Sequence, residues 1–215
     1  MKNHFRIISV LVLAMLLFSG CKKLSLFKDY EFNAHTIDPN QNITAWEYIN
    51  KPRTDTLFNM MIRGIKYAGL EEEYKKPNRT YILLINAAIT APNATTGVES
   101  ATTYFGMNKV NGVASKNWQS YSVAPVKDLL MYHIIQGRYT YDNLKTDVTE
   151  TVSLRTDAAK NKVYLNIANT NNFKIQFNNF PKTIKTQDAR TSNLQMNDNC
   201  VIHVIPTYME YGVTP

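Results

Sequence analysis

The sequence has 215 residues, with 24 lysine or arginine residues against 17 aspartate or glutamate residues and a formal net charge of +7. The positive charges are scattered rather than concentrated in one segment, so we expect no nucleic-acid partner. With two cysteines and 44% hydrophobic residues, the fold must depend on an apolar core and not on a framework of disulfides.

The first twenty residues have the pattern of a secretory signal peptide. Lys2 and Arg6 supply positive charge, and residues 7–18 are apolar apart from one serine, a stretch too short to span a bilayer as a helix. Small residues then precede Cys21, in the pattern called a lipobox, where the cysteine is acylated. We predict cleavage before Cys21 and lipidation of its thiol. The alternative is a plain signal peptide that happens to be followed by a cysteine.

Lipidation of Cys21 would leave Cys200 as the sole free thiol, so no intramolecular disulfide is expected. Acyl chains contribute roughly 0.8 kcal/mol per buried CH₂, so two or three chains would hold the protein firmly on a membrane. We therefore expect a protein anchored by lipid to the bacterial outer membrane. Whether it faces the cell surface or the periplasm is left open, because Lys22 and Lys23 follow the cysteine and acidic residues come only later.

The rest of the chain is predicted to divide into three parts. These are a polar, flexible tether at residues 21–42, one domain at residues 43–211 and a short tail at residues 212–215. At the start of the domain, Thr44 to Glu47 has the spacing of a capping box and predicts a short helix that ends before Pro52.

A second helix is predicted after Asp55, which can cap its first turn, and Gly69 is expected to end it. The apolar face of this helix is formed by residues at spacings of four, four and three: Leu57, Met61, Ile65 and Ala68. Residues 80–85 form a continuous β-prone run and predict a buried strand, and residues 86–90 are consistent with a helical turn.

Residues 92–122 are rich in Asn, Thr, Ser and Gly and predict a long insertion with room for a hairpin. Pro125 then predicts the start of a helix, because proline is tolerated in the first turn, and Gly137 is expected to end it. One side of this helix carries Val126, Leu129, Leu130 and His133.

The chain beyond Gly137 is predicted to be mostly strand. Residues 163–167 and 173–177 alternate between apolar and polar, whereas residues 200–205 are apolar on both faces apart from His203, as in a central strand. Helices early in the chain and strands late favour an α+β domain.

The order of these elements resembles a fasciclin-type (FAS1) domain, over residues 43–211. That family has helices ending in a phrase like ALxxAGL, which resembles Ile65 to Leu70 here, followed by a strand that corresponds to Thr80–Ile89. The phrase LLxYHxxxG is matched closely by Leu129–Gly137, and the closing NGxxHxID strand is similar to Asn199–Pro206.

The resemblance implies an α+β, FAS1-like fold, with N-terminal helices packed on a β-sandwich or wedge of mostly C-terminal strands. It also implies binding and adhesion rather than catalysis. In that family the Tyr-His motif, Tyr132 and His133 here, is proposed to contribute to cell adhesion. A structural role, in which the imidazole satisfies a buried backbone group, is the alternative. Lipidated proteins of this kind are similar to those of Bacteroidota that lie beside outer-membrane glycan-import systems.

No catalytic residue, metal or cofactor is predicted. The histidines retained after cleavage do not have the spacing of zinc ligands, and there is no Gly-x-Ser-x-Gly sequence for a serine nucleophile. Cys200 and His203 are three apart on a predicted strand, so their side chains point to opposite faces and cannot act as a thiol–imidazole pair.

Four aromatic residues are the remaining candidates for binding. Trp118 and Tyr121 lie in an Asn- and Ser-rich segment, and Tyr139 and Tyr141 follow the turn at Gly137. Exposed rings of this kind can stack on sugars; alternatively, they pack inward and hold the 92–122 insertion on the domain.

The leading hypothesis is a non-enzymatic envelope lipoprotein that binds an extracellular protein or polysaccharide. One alternative is an accessory glycan-binding lipoprotein of an outer-membrane glycan-import system. Another is a structural adaptor for other outer-membrane proteins, such as transport proteins.

Overall fold

The computed structural model describes residues 39–52, 56–169, 173–180 and 187–212. The predicted signal peptide, Cys21, most of the tether and the predicted helix cap Asp55 lie outside these residues. Within them, no helix is long and apolar enough to cross a membrane.

Five α-helices lie in the described part of the chain, all before residue 133. They are α1 (Ala45–Asn50), α2 (Asn59–Tyr67), α3 (Asn86–Ile89), α4 (Tyr104–Met107) and α5 (Val123–Tyr132). Single 3₁₀ turns add Glu73–Lys75, Trp118–Ser120 and Ala158–Lys160.

The strands form two four-stranded sheets. In chain order they are β1 (Arg79–Leu84), β2 (Ile134–Gln136), β3 (Thr149–Val152), β4 (Lys162–Ile167), β5 (Ile175–Phe177), β6 (Gln187–Asp188), β7 (Thr191–Gln195) and β8 (Val201–Ile205). The first sheet has the order β2-β1-β8-β7 and the second β3-β4-β5-β6.

The first sheet confirms the predicted central position of the closing strand. β8 pairs in parallel with β1, with Tyr81 opposite Ile202, and in antiparallel with β7 on its other side. All five β8 residues are buried, because the strand has neighbours along both edges and side chains packed on both faces.

Local sequence signals explain the start of α1 and the end of α2, whereas α2 begins only at Asn59, later than predicted, with Phe58 as an N-cap that makes no side-chain hydrogen bond. The Thr44 hydroxyl accepts a hydrogen bond from the Glu47 backbone nitrogen at 3.2 Å, and the Glu47 carboxylate accepts one from the Thr44 nitrogen at 2.8 Å, so the predicted capping box is confirmed. Gly69 adopts φ +65° directly after α2 and its C-cap, as predicted for a helix-terminating glycine.

Both predicted boundaries of the helix at Pro125 are wrong. α5 begins at Val123 rather than Pro125, and it ends at Tyr132 instead of continuing to Gly137. The helix stops early because Ile134–Gln136 pairs with β1 as an edge strand, with Ile134 opposite Tyr81. Here a long-range strand pairing overrides the local helical pattern.

The strand predicted at residues 173–177 is shorter than expected. Phe173 is 61% exposed and has φ +43°, so β5 does not extend back to this residue, although the sequence alternates there. A non-glycine residue with positive φ is typical of a turn and cannot continue a strand.

Candidate functional site

The Tyr-His motif lies in the core. His133 is fully buried, with its Nδ1 atom 2.8 Å from the Leu129 carbonyl oxygen and its Nε2 atom 3.1 Å from the Met209 backbone nitrogen. The Met209 N–H must donate to Nε2, so Nδ1 carries the proton and donates to Leu129. The imidazole therefore joins the end of α5 to the C-terminal segment, residues 206–212.

Tyr132 is also fully buried. Its hydroxyl donates to the Lys162 carbonyl oxygen at 2.9 Å and accepts from the Asn178 amide at 3.0 Å. Burial of this phenol raises its pKa to about 12. The expectation that Tyr132 and His133 contact an adhesion partner directly is therefore wrong for this fold, because neither side chain reaches the surface.

The C-terminal segment covers this motif. The Asn178 amide donates to the Glu210 carbonyl oxygen at 3.2 Å. The Tyr211 ring lies over the buried guanidinium of Arg155, 3.7 Å from ring centre to guanidinium carbon, and Arg155 also pairs with Asp128 at 3.1 Å. These contacts make the Tyr-His motif a structural junction between α5, the second sheet and the end of the domain.

His203 has a similar structural role in β8. Its Nδ1 accepts from the Asn193 backbone nitrogen at 3.2 Å, so Nε2 carries the proton and donates to the Tyr139 carbonyl oxygen at 2.9 Å. Burial lowers the pKa of both His133 and His203 to about 4, so both imidazoles are neutral at pH 7.

Trp118 packs inward, and the expectation that it presents an exposed stacking face is wrong. The residue is 1% exposed, and its indole nitrogen donates to the Met60 carbonyl oxygen at 2.7 Å. The ring lies against Gly64 of α2 so closely that a Cβ there would be 2.9 Å from the indole.

The same expectation is wrong for Tyr121. It is 9% exposed, and its hydroxyl donates to the Asn108 carbonyl oxygen at 2.6 Å. Its ring stacks on Phe105, which also packs edge-on against Trp118. These rings hold the 92–122 insertion on the domain.

The aromatic residues after Gly137 are only partly accessible. Tyr139 packs on the core, and its backbone nitrogen donates to the Thr80 hydroxyl at 2.9 Å. Tyr141 is 36% exposed, and its hydroxyl lies 2.6 Å from that of Ser192. Of the four aromatic candidates, Tyr141 alone has a substantially accessible ring.

Catalytic and metal chemistry has little support in the described residues. They contain no cluster of three or more His, Cys, Asp or Glu side chains that could hold a metal ion. Cys200 is buried, its thiol donates to the Lys76 carbonyl oxygen at 3.3 Å, and burial raises the thiol pKa to about 12. A thiol with that pKa is protonated at pH 7 and is a poor nucleophile.

The candidate binding site lies mostly within the 92–122 insertion, at residues that were not predicted from the sequence. Two tight turns, at residues 93–98 and 110–113, border a groove of about 660 Å³. Each turn holds an accessible valine, Val98 at 66% and Val113 at 70% exposed. We call this feature the turn groove.

Local hydrogen bonds fix the first turn. The Asn93 side-chain oxygen accepts from the backbone nitrogens of Thr95 and Thr96, both at 2.9 Å. The Asn93 backbone nitrogen donates to the Val98 carbonyl oxygen at 2.8 Å, so Val98 is held at the end of a closed loop.

The second turn is a two-residue hairpin. Val110 and Val113 exchange both backbone hydrogen bonds, at 2.9 and 3.0 Å, and Asn111 and Gly112 between them have φ values of +51° and +78°. Positive φ at both central positions defines the hairpin turn that the Asn-Gly pair favours. This dipeptide is the one sequence signal that could have located the wall of the groove.

The lining of the turn groove is aliphatic and cationic. Its apolar members include Pro92, Val98, Val113 and Ala114. The exposed amines of Lys109 and Lys116 belong to the same lining, whereas no aromatic side chain of the described residues does.

Glu99 is the carboxylate of this groove, and it has a structural role. Its two oxygens accept from the Thr90 hydroxyl at 2.7 Å, the Ala91 nitrogen at 2.5 Å and the Thr103 hydroxyl at 2.8 Å. These bonds hold the first turn against the start of α4. They also satisfy the carboxylate oxygens internally, so the ionic contacts open to a ligand are those of Lys109 and Lys116, which outnumber the single carboxylate of the lining.

Comparisons with known proteins point to one family. A family model of the fasciclin domain matches residues 100–210. The structure is similar to a FAS1 domain pair from the insect cell adhesion molecule fasciclin I, with a TM-score of 0.52 and 11% identity. The match covers 78% of this chain and 51% of the other, so this chain spans about half the length of that domain pair. No curated protein matches the sequence. The likeness confirms the predicted α+β, FAS1-like fold.

Proposed function

Because the chain belongs to the fasciclin family, we propose that it is a non-enzymatic adhesion protein of the bacterial envelope, anchored to the outer membrane through Cys21. Its domain binds an extracellular partner, and the turn groove is the binding surface. The similar FAS1 domain pair comes from a cell adhesion molecule, which supports the same class of role here.

One observation carries the choice of surface: Val98 and Val113 are held in the solvent by turns that are closed by their own hydrogen bonds. Exposed aliphatic side chains that line one common groove favour an interaction site, because their burial by a partner removes contiguous apolar area from water. The family's Tyr-His motif cannot supply this surface, since both of its side chains are buried.

The lipid anchor is supported by the sequence of the first 21 residues, which combines a signal peptide with a cysteine at the cleavage position. Adhesion requires this arrangement, in which the domain is held at the membrane and binds partners outside the cell. Replacing Cys21→Ser should move the protein from the membrane fraction to the soluble fraction without changing its fold.

Glycan binding is less well supported than protein binding. The two insertion aromatics that would stack on sugars, Trp118 and Tyr121, are buried, and the turn groove has an aliphatic lining instead. An aliphatic surface matches side chains of a protein better than the faces of a sugar ring, which usually contact aromatic side chains.

The test is adhesion of bacteria that display the full chain, measured on surfaces coated with extracellular proteins or with polysaccharides. We expect saturable adhesion to protein-coated surfaces, at least about tenfold above cells with the Cys21→Ser variant. Turnover of the coated material, or no adhesion above that control, would refute the proposal. Crosslinking in intact cells then distinguishes the two kinds of partner. An adhesion protein should crosslink to an external partner, whereas a structural adaptor should crosslink to a protein of the same membrane.

A further inference from the structure

We infer that the turn groove binds an extended acidic segment of a partner protein. In this arrangement, aliphatic side chains of the segment contact Val98 and Val113, and its carboxylates pair with Lys109 and Lys116. The inference rests on the proposed function and adds the chemical class of the partner to it.

The shape of the site favours a single extended segment. A groove of about 660 Å³ lies in the range of roughly 300–1,000 Å³ that is typical of small-ligand sites, so only a short segment of a protein partner can fill it. A folded domain or a membrane surface would contact the tips of the turns and leave this volume unfilled.

The charges of the site favour an acidic segment. Lys109 and Lys116 are exposed, and neither amine makes an ion pair with another residue of the described chain. Glu99 already accepts three hydrogen bonds within the domain. Carboxylates of a ligand would therefore meet two available cations, which steers association as well as stabilising the complex.

The rigidity of the walls favours measurable affinity for a short ligand. Both turns are closed by backbone hydrogen bonds of 2.8–3.0 Å, and buried aromatic rings hold the insertion on the domain. A binding surface that is already ordered loses little conformational entropy when a ligand arrives.

The experiment measures binding of three labelled heptapeptides to the full chain in non-ionic detergent by fluorescence polarisation. One peptide alternates aspartate with valine, the second alternates lysine with valine, and the third alternates aspartate with serine. We expect the aspartate–valine peptide to bind about tenfold more tightly than either of the others, because it alone supplies both negative charge and aliphatic contact.

Two variants locate the site. The double variant Lys109→Glu and Lys116→Glu should weaken binding of the aspartate–valine peptide by about tenfold, and Val113→Asp should do the same. The matched controls are Lys127→Glu and Val148→Asp, which change exposed residues outside the groove lining and should leave binding unchanged.

Equal binding of the three peptides, or loss of binding in the control variants as well, would overturn the inference. A third result would also overturn it: no peptide binds, but anionic lipid vesicles do, and the groove variants abolish that vesicle binding. The turn groove would then contact lipid rather than protein. If the peptides fail but cell adhesion persists, the proposed function stands and a different ligand chemistry is required. If adhesion also fails, the proposed function falls with it.

Discussion

Acid should destabilise this domain in a pH range where carboxylates contribute little, because two buried histidines must stay neutral in the fold. His133 and His203 each accept a backbone N–H through one ring nitrogen and donate through the other. A proton added to either ring would remove the acceptor and place an uncompensated charge in the core. Burial accordingly lowers both pKa values to about 4, against 6.5 for the free side chain.

The sign of the effect follows from proton uptake on unfolding. From about pH 7.5 upward both states are neutral at these positions, and stability does not change with pH. Between about pH 7.5 and 4 the unfolded chain binds protons that the folded chain excludes, so the free energy of unfolding falls as the pH falls. From pH 7.5 to 5.5 the loss is about 1.3 kcal/mol for each histidine and about 2.6 kcal/mol for both.

The measurement is urea unfolding of the full chain at pH 7.5, 6.5 and 5.5, followed by tryptophan fluorescence, which reports on the buried Trp118 and the partly buried Trp46. His133→Gln should reduce the loss between pH 7.5 and 5.5 to about 1.3 kcal/mol, and the double variant with His203→Gln should nearly abolish it. His35→Gln changes a residue of the predicted tether and serves as the control, with no expected effect. A double variant that still loses more than about 2 kcal/mol would show that other groups take up the protons.

Three further predictions test the packing or exposure of single side chains. Gly64→Ala should destabilise the domain by about 1–3 kcal/mol in urea unfolding followed by circular dichroism, because the new Cβ would lie 2.9 Å from the Trp118 indole. In a Trp118→Phe background the same change should cost less, because the indole that the new Cβ approaches is then absent. Tyr132→Phe removes one donor and one acceptor from a buried network and should cost about 1–3 kcal/mol by the same assay. Val113→Asp changes an exposed turn residue and should alter stability by less than about 0.5 kcal/mol, so a larger loss would mean that this valine belongs to the core.

The parts of the fold that were predictable from sequence depend on local signals. The capping box at Thr44 and the glycine after α2 act through neighbouring backbone groups, so short stretches of sequence specify them. The central position of β8 was predictable because a strand buried on both faces has an unbroken apolar run, here Val201–Ile205 apart from His203.

The errors arise where distant residues decide the outcome. α5 stops at Tyr132 because Ile134–Gln136 pair with β1, more than 50 positions earlier in the chain. Trp118 is surrounded by polar residues in sequence, but its partners Met60 and Gly64 lie on α2. Composition of a segment predicts its average exposure and cannot identify the one side chain that has a buried partner elsewhere.

Packing against residues that are distant in sequence also explains why the turn groove is aliphatic. The insertion has to be held on the domain, and its large rings serve that purpose because they bury the most apolar area per residue: Tyr104, Phe105, Trp118 and Tyr121 all point inward. The residues left for the solvent are those of the turns, where glycine and asparagine satisfy the backbone and small aliphatic side chains flank them. The anchoring of the insertion therefore decides which side chains a partner can contact. It removes the aromatic rings from the surface and leaves two valines and two lysines there.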